Sequence, residues 1–204
     1  MELPRSTLAV LALATLGSCQ AVPGTEGTAG SPAPVGPQQQ VSLYLGQRSF
    51  AEDSFWIPNE DQVVGAIEYS REDRADIVGW EIGLAGSSDE SSDGAGNPWT
   101  GGTGELYGGL RKSWGDGAFR PYVGAGLSYI EAEWELYGQT DDDNSLAGYL
   151  HGGVQWLLGR SFALGLDIRT LFGSSLSLGQ HTVGFDIPGD ADYVQVALSF
   201  GWRF

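Results

Sequence analysis

The sequence predicts an all-β protein, an eight-stranded antiparallel up-and-down transmembrane β-barrel. Three observations support this prediction. Residues 193–204 alternate without a break between apolar and polar side chains, as a strand between lipid and a polar lumen requires. The composition is rich in turn-forming and aromatic residues, with 32 Gly, 7 Trp, 8 Tyr and 8 Phe. Finally, the connections between the predicted strands alternate between short turns and long loops, which is the pattern of membrane-spanning barrels.

The first 40 residues are predicted to lie outside the barrel. Residues 8–17 form an apolar run that follows Arg5 and precedes small residues, which is typical of a secretory signal. The run is too short for a membrane helix, which needs about 20 residues. We therefore predict a signal peptide at residues 1–19 and a flexible linker at residues 20–40. The linker is rich in Pro, Gly, Thr, Ser and Gln, which bury too little apolar surface to offset chain entropy.

The end of the signal, Leu16-Gly17-Ser18-Cys19, resembles the lipobox of bacterial lipoproteins. This resemblance implies lipid attachment at Cys19. The alternative is ordinary cleavage near Ala21, which would remove Cys19 with the signal. Because Cys19 is the single cysteine of the chain, a disulfide within the chain is excluded.

The barrel itself is predicted at residues 41–204, where apolar residues recur with period 2 between turn signals. The eight predicted strands lie at about 41–50, 62–70, 77–87, 103–114, 119–136, 145–158, 161–172 and 192–204. Short turns are predicted at 71–76, 114–118 and 158–160, and longer loops at about 48–61, 88–102, 137–144 and 173–191. An even number of strands places both ends of the barrel on the side of the short turns.

The outward faces of these strands are apolar, and seven aromatic residues lie at the strand ends beside the short turns. They are Tyr69, Trp80, Trp114, Trp156, Phe162, Trp202 and Phe204. Aromatic rings favour the boundary between lipid headgroups and hydrocarbon, so this ring of residues predicts a membrane interface. A soluble lipocalin-like carrier would instead have an apolar interior and a polar exterior.

One strand carries a family resemblance. Residues 120–129, Arg-Pro-Tyr-Val-Gly-Ala-Gly-Leu-Ser-Tyr, resemble the fifth strand of small outer-membrane β-barrels. These include the transmembrane domain of outer-membrane protein A and the opacity-type porin-like barrels. The terminal Phe204 resembles the signal that their assembly machinery reads. The resemblance implies an integral barrel of the bacterial outer membrane, with a periplasmic N-terminus and with membrane lipid and lipopolysaccharide around it.

The inward register predicts a network of paired charges in the lumen. Its members are Arg48, Glu68, Glu81, Glu105, Arg111, Asp167, Arg169 and Arg203. Buried charges must be paired, and eight strands leave an interior that side chains can fill. We therefore expect a plugged barrel, with a small gated pore as the alternative.

His151 is the only histidine on a predicted strand. In lipid A acyl hydrolase barrels, a strand histidine faces lipid beside a serine two residues on. Here that position is Gly153, and the register turns His151 inward. An enzyme is therefore the less favoured interpretation, and no catalytic, cofactor or metal residue is assigned.

Acidic residues dominate the predicted long loops, and the net charge of the chain is −16. This charge argues against nucleic-acid binding, which needs a basic surface. Carboxylate clusters can bind divalent cations through oxygen ligands, although none here has calcium-loop spacing. The sequence thus predicts a non-catalytic structural or surface-interaction protein with acidic extracellular loops.

Overall fold

The computed structural model describes residues 38–50, 56, 59–73, 77–92, 96–115 and 117–204. In this part of the chain, eight long strands form a closed antiparallel barrel. They are β1 (Gln38–Phe50), β2 (Asp61–Glu72), β3 (Gly79–Ser92), β4 (Pro98–Ser113), β5 (Phe119–Leu136), β6 (Gln139–Leu158), β7 (Phe162–Phe172) and β10 (Tyr193–Arg203). The predicted fold class is confirmed, and β1 begins three residues before the predicted barrel start at Val41.

Successive strands pair in chain order, and β1 closes the barrel on β10 in a register that joins Val41 to Trp202. The short turns and both barrel termini lie at one end, here called the short-turn end. The opposite end is called the long-loop end. Two short strands, β8 (Leu176–Leu178) and β9 (Ile187–Gly189), pair with each other at the long-loop end, within the connection from β7 to β10. Among the described residues, no helix is long and apolar enough to cross a membrane.

The prediction of a long loop at residues 137–144 is wrong. Strands β5 and β6 run on to a two-residue turn at Tyr137 and Gly138, which have φ angles of 55° and 73°. Two successive positive φ angles define the turn type that matches the twist of a hairpin. The polar residues that suggested a loop instead alternate along β6, and Glu133 of β5 pairs directly with Asp142.

The neighbouring loops are also shorter or more ordered than predicted. Strand β3 extends to Ser92 and β4 begins at Pro98, so the connection predicted at 88–102 shrinks to residues 93–97. The connection predicted at 173–191 contains the β8–β9 pair. A run of polar residues is a poor indicator of a loop in this chain. A strand that extends beyond the apolar band of the barrel can carry polar side chains on both faces.

The outside of the barrel carries the apolar band that the sequence predicts. Leu45 and Leu198 on adjacent strands are each 68% exposed, and they pair with each other. At the short-turn end, six of the seven predicted aromatic residues are exposed, namely Trp80, Trp114, Trp156, Phe162, Trp202 and Phe204. The seventh, Tyr69, is half-buried because its ring packs against Trp80 and its hydroxyl donates to Gln39 Oε1 at 2.7 Å.

Candidate functional site in the barrel lumen

The inward side chains of five strands bring seven of the eight predicted charges together. Strand alternation explains this, because Glu68, Glu81, Glu105, Arg111, Asp167, Arg169 and Arg48 all occupy inward positions. None of the seven is more than 4% exposed. A charge buried to this degree is costly unless it is paired and hydrogen-bonded. The contacts below pair the charges, although Glu81 Oε2 and His151 Nε2 make ion-pair contacts without a hydrogen bond.

Glu105 is the centre of the first group. Its Oε1 accepts hydrogen bonds from Arg169 Nη2 at 2.5 Å and from Ser128 Oγ at 2.7 Å. Its Oε2 accepts from Arg48 Nη2 and from the Tyr193 hydroxyl, both at 2.8 Å. Each carboxylate oxygen therefore receives one guanidinium and one hydroxyl donor. Strands β1, β4, β5, β7 and β10 all contribute to this group, so it ties opposite walls of the barrel together.

Glu68 and Arg111 form the second group. Arg111 Nη1 lies 2.7 Å from Glu68 Oε1 and 3.8 Å from Glu81 Oε2. The Tyr44 hydroxyl donates to Glu68 Oε1 at 3.1 Å, and the Tyr107 hydroxyl donates to Glu68 Oε2 at 3.2 Å. This arrangement leaves both oxygens of Glu68 with donors.

His151 lies between two carboxylates. Its Nε2 is 2.9 Å from Glu81 Oε1, and its Nδ1 is 3.0 Å from Asp167 Oδ2. A neutral imidazole has one N–H, whereas an imidazolium has two. Only the Nδ1 contact has the alignment of a hydrogen bond, but two carboxylates within 3.0 Å of the ring favour the positively charged imidazolium. Gly124 leaves room for this contact, because a Cβ at that position would collide with His151 Nε2.

In the lumenal network, His151 supplies the fourth positive charge, which was assigned to Arg203 from the sequence. The four buried carboxylates face Arg48, Arg111 and Arg169, so a protonated His151 balances the fourth negative charge. Arg203 lies instead at the short-turn end, where its Nη2 donates to Gln38 Oε1 at 2.7 Å. The assignment of Arg203 to the lumenal network is therefore wrong. Its inward parity was assigned properly, but it is the last residue but one of the chain, at the mouth of the barrel.

Tyrosine rings cover the guanidinium groups of the network. Arg48 lies 3.7 Å above the ring of Tyr193, and Arg111 lies 3.8 Å above that of Tyr122. Arg169 lies over Tyr107 at 3.9 Å and over Tyr149 at 4.1 Å. Such cation–π contacts add to the hydrogen bonds and exclude water from them. The part played by Tyr122 was not identified from the sequence, although its alternation with Val123 places it inside.

The long-loop half of the lumen contains an apolar cluster, which was not predicted from the sequence. Trp56 is completely buried there, stacked on Phe50 at 4.4 Å and edge-on to Trp134 at 6.4 Å. Its Nε1 donates to the carbonyl of Asp190 at 2.9 Å, which joins the first long connection to the last. The surrounding buried residues include Ile130, Ala132, Ala147, Leu171, Leu176, Leu178 and Ala191. We call this set of residues, with Phe50, Trp56 and Trp134, the apolar plug.

Side chains of β6 hold the last connection over the plug. Asp143 Oδ2 accepts from the backbone N–H of Ser177 at 2.7 Å, and Ser145 Oγ accepts from that of Ser175 at 2.9 Å. Asp141 accepts from the N–H groups of His181 and Thr182 and lies 2.7 Å from His181 Nδ1. Burial opposes ionisation of Asp141, but the hydrogen bonds from His181 and Thr182 outweigh it and lower the pKa to about 2.

A small cavity lies within the charge network. A cavity beside Tyr44, Glu68, His151 and Arg169 has a volume of about 10 Å³, which is room for about one water molecule. Ligand atoms of Glu68, Glu81 and His151 lie within 4.8 Å of one another, a spacing that a metal ion could bridge. However, the Arg111 guanidinium lies 2.7 Å from Glu68, and its charge disfavours a second cation at that point.

An apolar outer band, an aromatic girdle and a lumen that carries paired charges are typical of a small membrane-spanning β-barrel. The model of the outer membrane protein beta-barrel domain family matches residues 9–204. The chain therefore belongs to this family of integral outer-membrane β-barrels. A comparison with curated proteins finds no match.

Several solved structures share the fold. The attachment invasion locus protein Ail of Yersinia pestis, solved with the heparin analogue sucrose octasulfate, is 14% identical with a TM-score of 0.56, and the match covers 82% of this chain and 99% of that one. Neisserial surface protein A is 12% identical with a TM-score of 0.54, covering 82% and 97%. A major outer membrane protein of Thermus thermophilus is 12% identical with a TM-score of 0.51, covering 83% and 100%. At these identities the similarity concerns the fold alone.

Proposed function

We propose that this protein is a non-catalytic structural or surface-interaction barrel whose lumen is closed. The observation that carries the proposal is the filling of the lumen at two levels. The charge network around Glu105 and His151 fills one half, and the apolar plug around Trp56 fills the other. Either level alone would narrow a pore, and the two lie one above the other on the same strands, as Arg48 and Phe50 of β1 do.

Conductance of the full chain, purified and folded in planar bilayers, tests the closed lumen. We expect no resolved current steps. Steps on the order of nanosiemens would be typical of a water-filled channel. Their appearance would overturn the closed lumen and establish the alternative, a small gated pore.

The proposed orientation places the short-turn end in the periplasm and the long-loop end at the cell surface. Barrels of this family type have short periplasmic turns and longer extracellular loops. The predicted signal peptide with Cys19, and residues 20–37 of the predicted linker, lie outside the described residues, so lipid attachment at Cys19 remains a proposal. Mass spectrometry of the mature N-terminus tests it: a diacylglycerol-modified Cys19 is expected, and an unmodified start beyond Cys19 would refute it. Phe204 is proposed as the signal for the outer-membrane assembly machinery.

The acidic long-loop end is the proposed interaction surface. Glu131, Glu133 and Glu135 point outward from β5, and Asp142 faces Glu133 across the hairpin. Ail was solved with a sulfated ligand, but polyanions would be repelled by the carboxylates here. We infer that the surface meets cationic groups, or divalent cations that bridge it to lipopolysaccharide phosphates. Of these two kinds of partner, divalent cations that bridge the surface to lipopolysaccharide are the more specific proposal.

A lipid A acyl hydrolase is the remaining alternative. His151 is 3% exposed, faces the lumen and is held by two carboxylates, so it does not reach a lipid substrate. Replacing His151 with Ala is expected to leave lipid A acylation in the host membrane unchanged. Loss of a deacylated product in that variant would support the enzyme.

A further inference from the structure

In the part of the barrel that the structure describes, the Lys and Arg residues outside the lumen lie at one end. In the described residues from β1 onward, the Lys and Arg residues outside the charge network are Arg71, Lys112, Arg120, Arg160 and Arg203. All five lie in or beside the ends of strands at the short-turn end. This is also the level of the exposed aromatic residues, which marks the headgroup region of one leaflet.

A cavity of about 260 Å³ lies among these charges, lined by Gln38, Glu72, Lys112, Ser113, Trp114, Gly115 and Arg120. Gln38 and Arg120 share the inward parity of their strands, whereas Lys112 and Trp114 share the outward parity of the exposed Leu110. The cavity therefore reaches from the mouth of the barrel to its outer wall at the end of β4. Drug-sized ligands occupy about 300–1,000 Å³, so this volume suits a smaller group.

Two guanidinium groups meet at one neutral oxygen beside the cavity. Arg120 Nη1 of β5 and Arg203 Nη2 of β10 each lie 2.7 Å from Gln38 Oε1. The two donor nitrogens are thus close enough to bind adjacent oxygens of one anion. A phosphate oxygen at this point would make charge-assisted hydrogen bonds with both guanidinium groups, about twice as strong as hydrogen bonds to a neutral amide.

Glu72 also lines the cavity, and its carboxylate already has partners. Its Oε1 accepts from the backbone N–H of Ser113 at 2.8 Å and lies 3.6 Å from Lys112 Nζ. Lys112 and Glu72 therefore pair with each other, whereas Arg120 and Arg203 converge on Gln38. Trp114, which is 50% exposed and has outward parity, also lines the cavity.

We propose that this cavity binds the phosphate group of an anionic headgroup, with Arg120 and Arg203 as its donors and Gln38 displaced from between them. The same chemistry would accept an anionic phospholipid of the leaflet at the short-turn end or a soluble phosphate ester. The site lies apart from the lumenal network and from the long-loop end, so it is independent of the proposed surface interaction.

Titration calorimetry of the full chain, folded in neutral detergent micelles, tests the proposal. The probes are dihexanoylphosphatidylglycerol, glycerol-3-phosphate and dihexanoylphosphatidylcholine. We expect saturable binding of the first, and weak or no binding of the zwitterionic lipid. Binding of glycerol-3-phosphate at equal affinity would identify a soluble ester as the ligand, whereas binding of the lipid alone would identify a headgroup.

The double variant R120Q/R203Q is expected to weaken binding by at least about tenfold, since each lost hydrogen bond to a charged group is sizeable. The matched control is R71Q/R160Q, which removes the same charge at the same end without touching the cavity lining. Its affinity should change by less than about twofold, as expected for exposed charges. Equal weakening in both double variants would show general charge attraction and overturn the site, as would absence of saturable binding by either anionic probe.

Gln38→Glu provides a second measurement that does not depend on the arginine variants folding. A carboxylate at Gln38 would occupy the place of the phosphate between the two guanidinium groups. We expect it to abolish binding while leaving the heat-modifiable gel mobility of the folded barrel intact. Retained binding in Gln38→Glu would contradict the proposed position of the anion.

Discussion

Glu105 shows how a single residue can hold a barrel together. Its two oxygens receive four donors from four other strands, and its side chain is completely buried. A carboxylate in this position is stable only while its cations are present. The contribution of Glu105 to the stability of the barrel therefore depends on Arg48 and Arg169 as much as on Glu105 itself.

Replacing Arg169 with Met should destabilise the barrel by about 3–5 kcal/mol, because it leaves a buried carboxylate with one of its two guanidinium partners. Urea unfolding in lipid vesicles, followed by tryptophan fluorescence, measures this change. The exposed Arg160→Met at the short-turn end is the matched control and should stay within about 0.5 kcal/mol. Similar stabilities for the two variants would show that the network contributes nothing beyond packing.

Asp141 predicts a pH dependence confined to the long-loop end. Its pKa is held at about 2, below its ordinary value, by hydrogen bonds from His181 and Thr182 that outweigh its burial. A lowered carboxyl pKa contributes stability above about pH 4 that is lost as the pH falls toward the folded-state value. The amide proton signals of His181 and Thr182 should therefore titrate near pH 2 in NMR spectra. The Asp141→Asn variant should lack this transition, and a midpoint near the ordinary aspartate value of about pH 4 in the native chain would contradict the assignment.

For individual residues, the sequence predicted which side chains face inward more accurately than it predicted their contacts. Period-2 parity placed Arg48, Glu105 and Arg169 inside, because a strand has only two faces. Parity does not report height along the barrel, which is why Arg203 was assigned to a network that it does not reach. Parity also does not reveal which charges balance one another. In the structure, His151 lies beside Glu81 and Asp167 and balances their charge.

At the scale of elements, the hairpin of β5 and β6 is the tallest part of the wall, with strands of 18 and 20 residues. The sequence predicted its existence but ended β5 at a loop and began β6 six residues late. Polar residues on both faces hid the alternation. The inner face of the same hairpin, with Trp134 and Asp141, supports the apolar plug and the last connection.

Substitution of Trp56 tests whether the apolar plug stabilises the barrel and links its first and last long connections. Replacing it with Ala removes the ring that stacks on Phe50 and the hydrogen bond to Asp190, and should cost about 3–5 kcal/mol. Hydrogen exchange at Asp190 and Ala191 should rise, because the first and last connections lose their link. Ile77→Ala at an exposed turn is the control, and equal exchange in both variants would argue against a plug.

This plug could not be predicted from the sequence. Trp56 stands in a connection, where strand periodicity gives no orientation. Its burial results from contacts with residues far away in the chain, such as Trp134. The outer surface is different, because lipid contact constrains every second residue of every strand, and that constraint is visible in the local pattern.

At the scale of the whole molecule, charge is separated along the barrel axis. Lys and Arg outside the network lie at the short-turn end of the described barrel, and the outward acids of β5 and β6 lie at the other. Burial and repulsion from Asp142, Glu135 and Glu131 raise the pKa of Glu133. The acids of this surface thus repel one another, and a bound cation would relieve that repulsion.

Calcium at a few millimolar should therefore raise the thermal stability of the folded protein by roughly 2–4 °C, as a stabilisation of about 1 kcal/mol would do in a chain of this size. The double variant E133Q/D142N should show a smaller shift than the native chain. The same concentration of a monovalent salt is the control for screening. Indifference of the native chain to calcium would remove cation bridging from the proposed function.

The two-residue turn at Tyr137 and Gly138 also makes the protein usable as a display scaffold. The turn is the outermost point of the tallest hairpin, both of its residues are exposed, and the strands on either side are paired to their last residue. A short epitope inserted between Tyr137 and Gly138 should extend into solvent without disturbing the barrel. Labelling of intact cells by an antibody to that epitope would report which end of the molecule the host presents, and staining only after permeabilisation would reverse the proposed orientation.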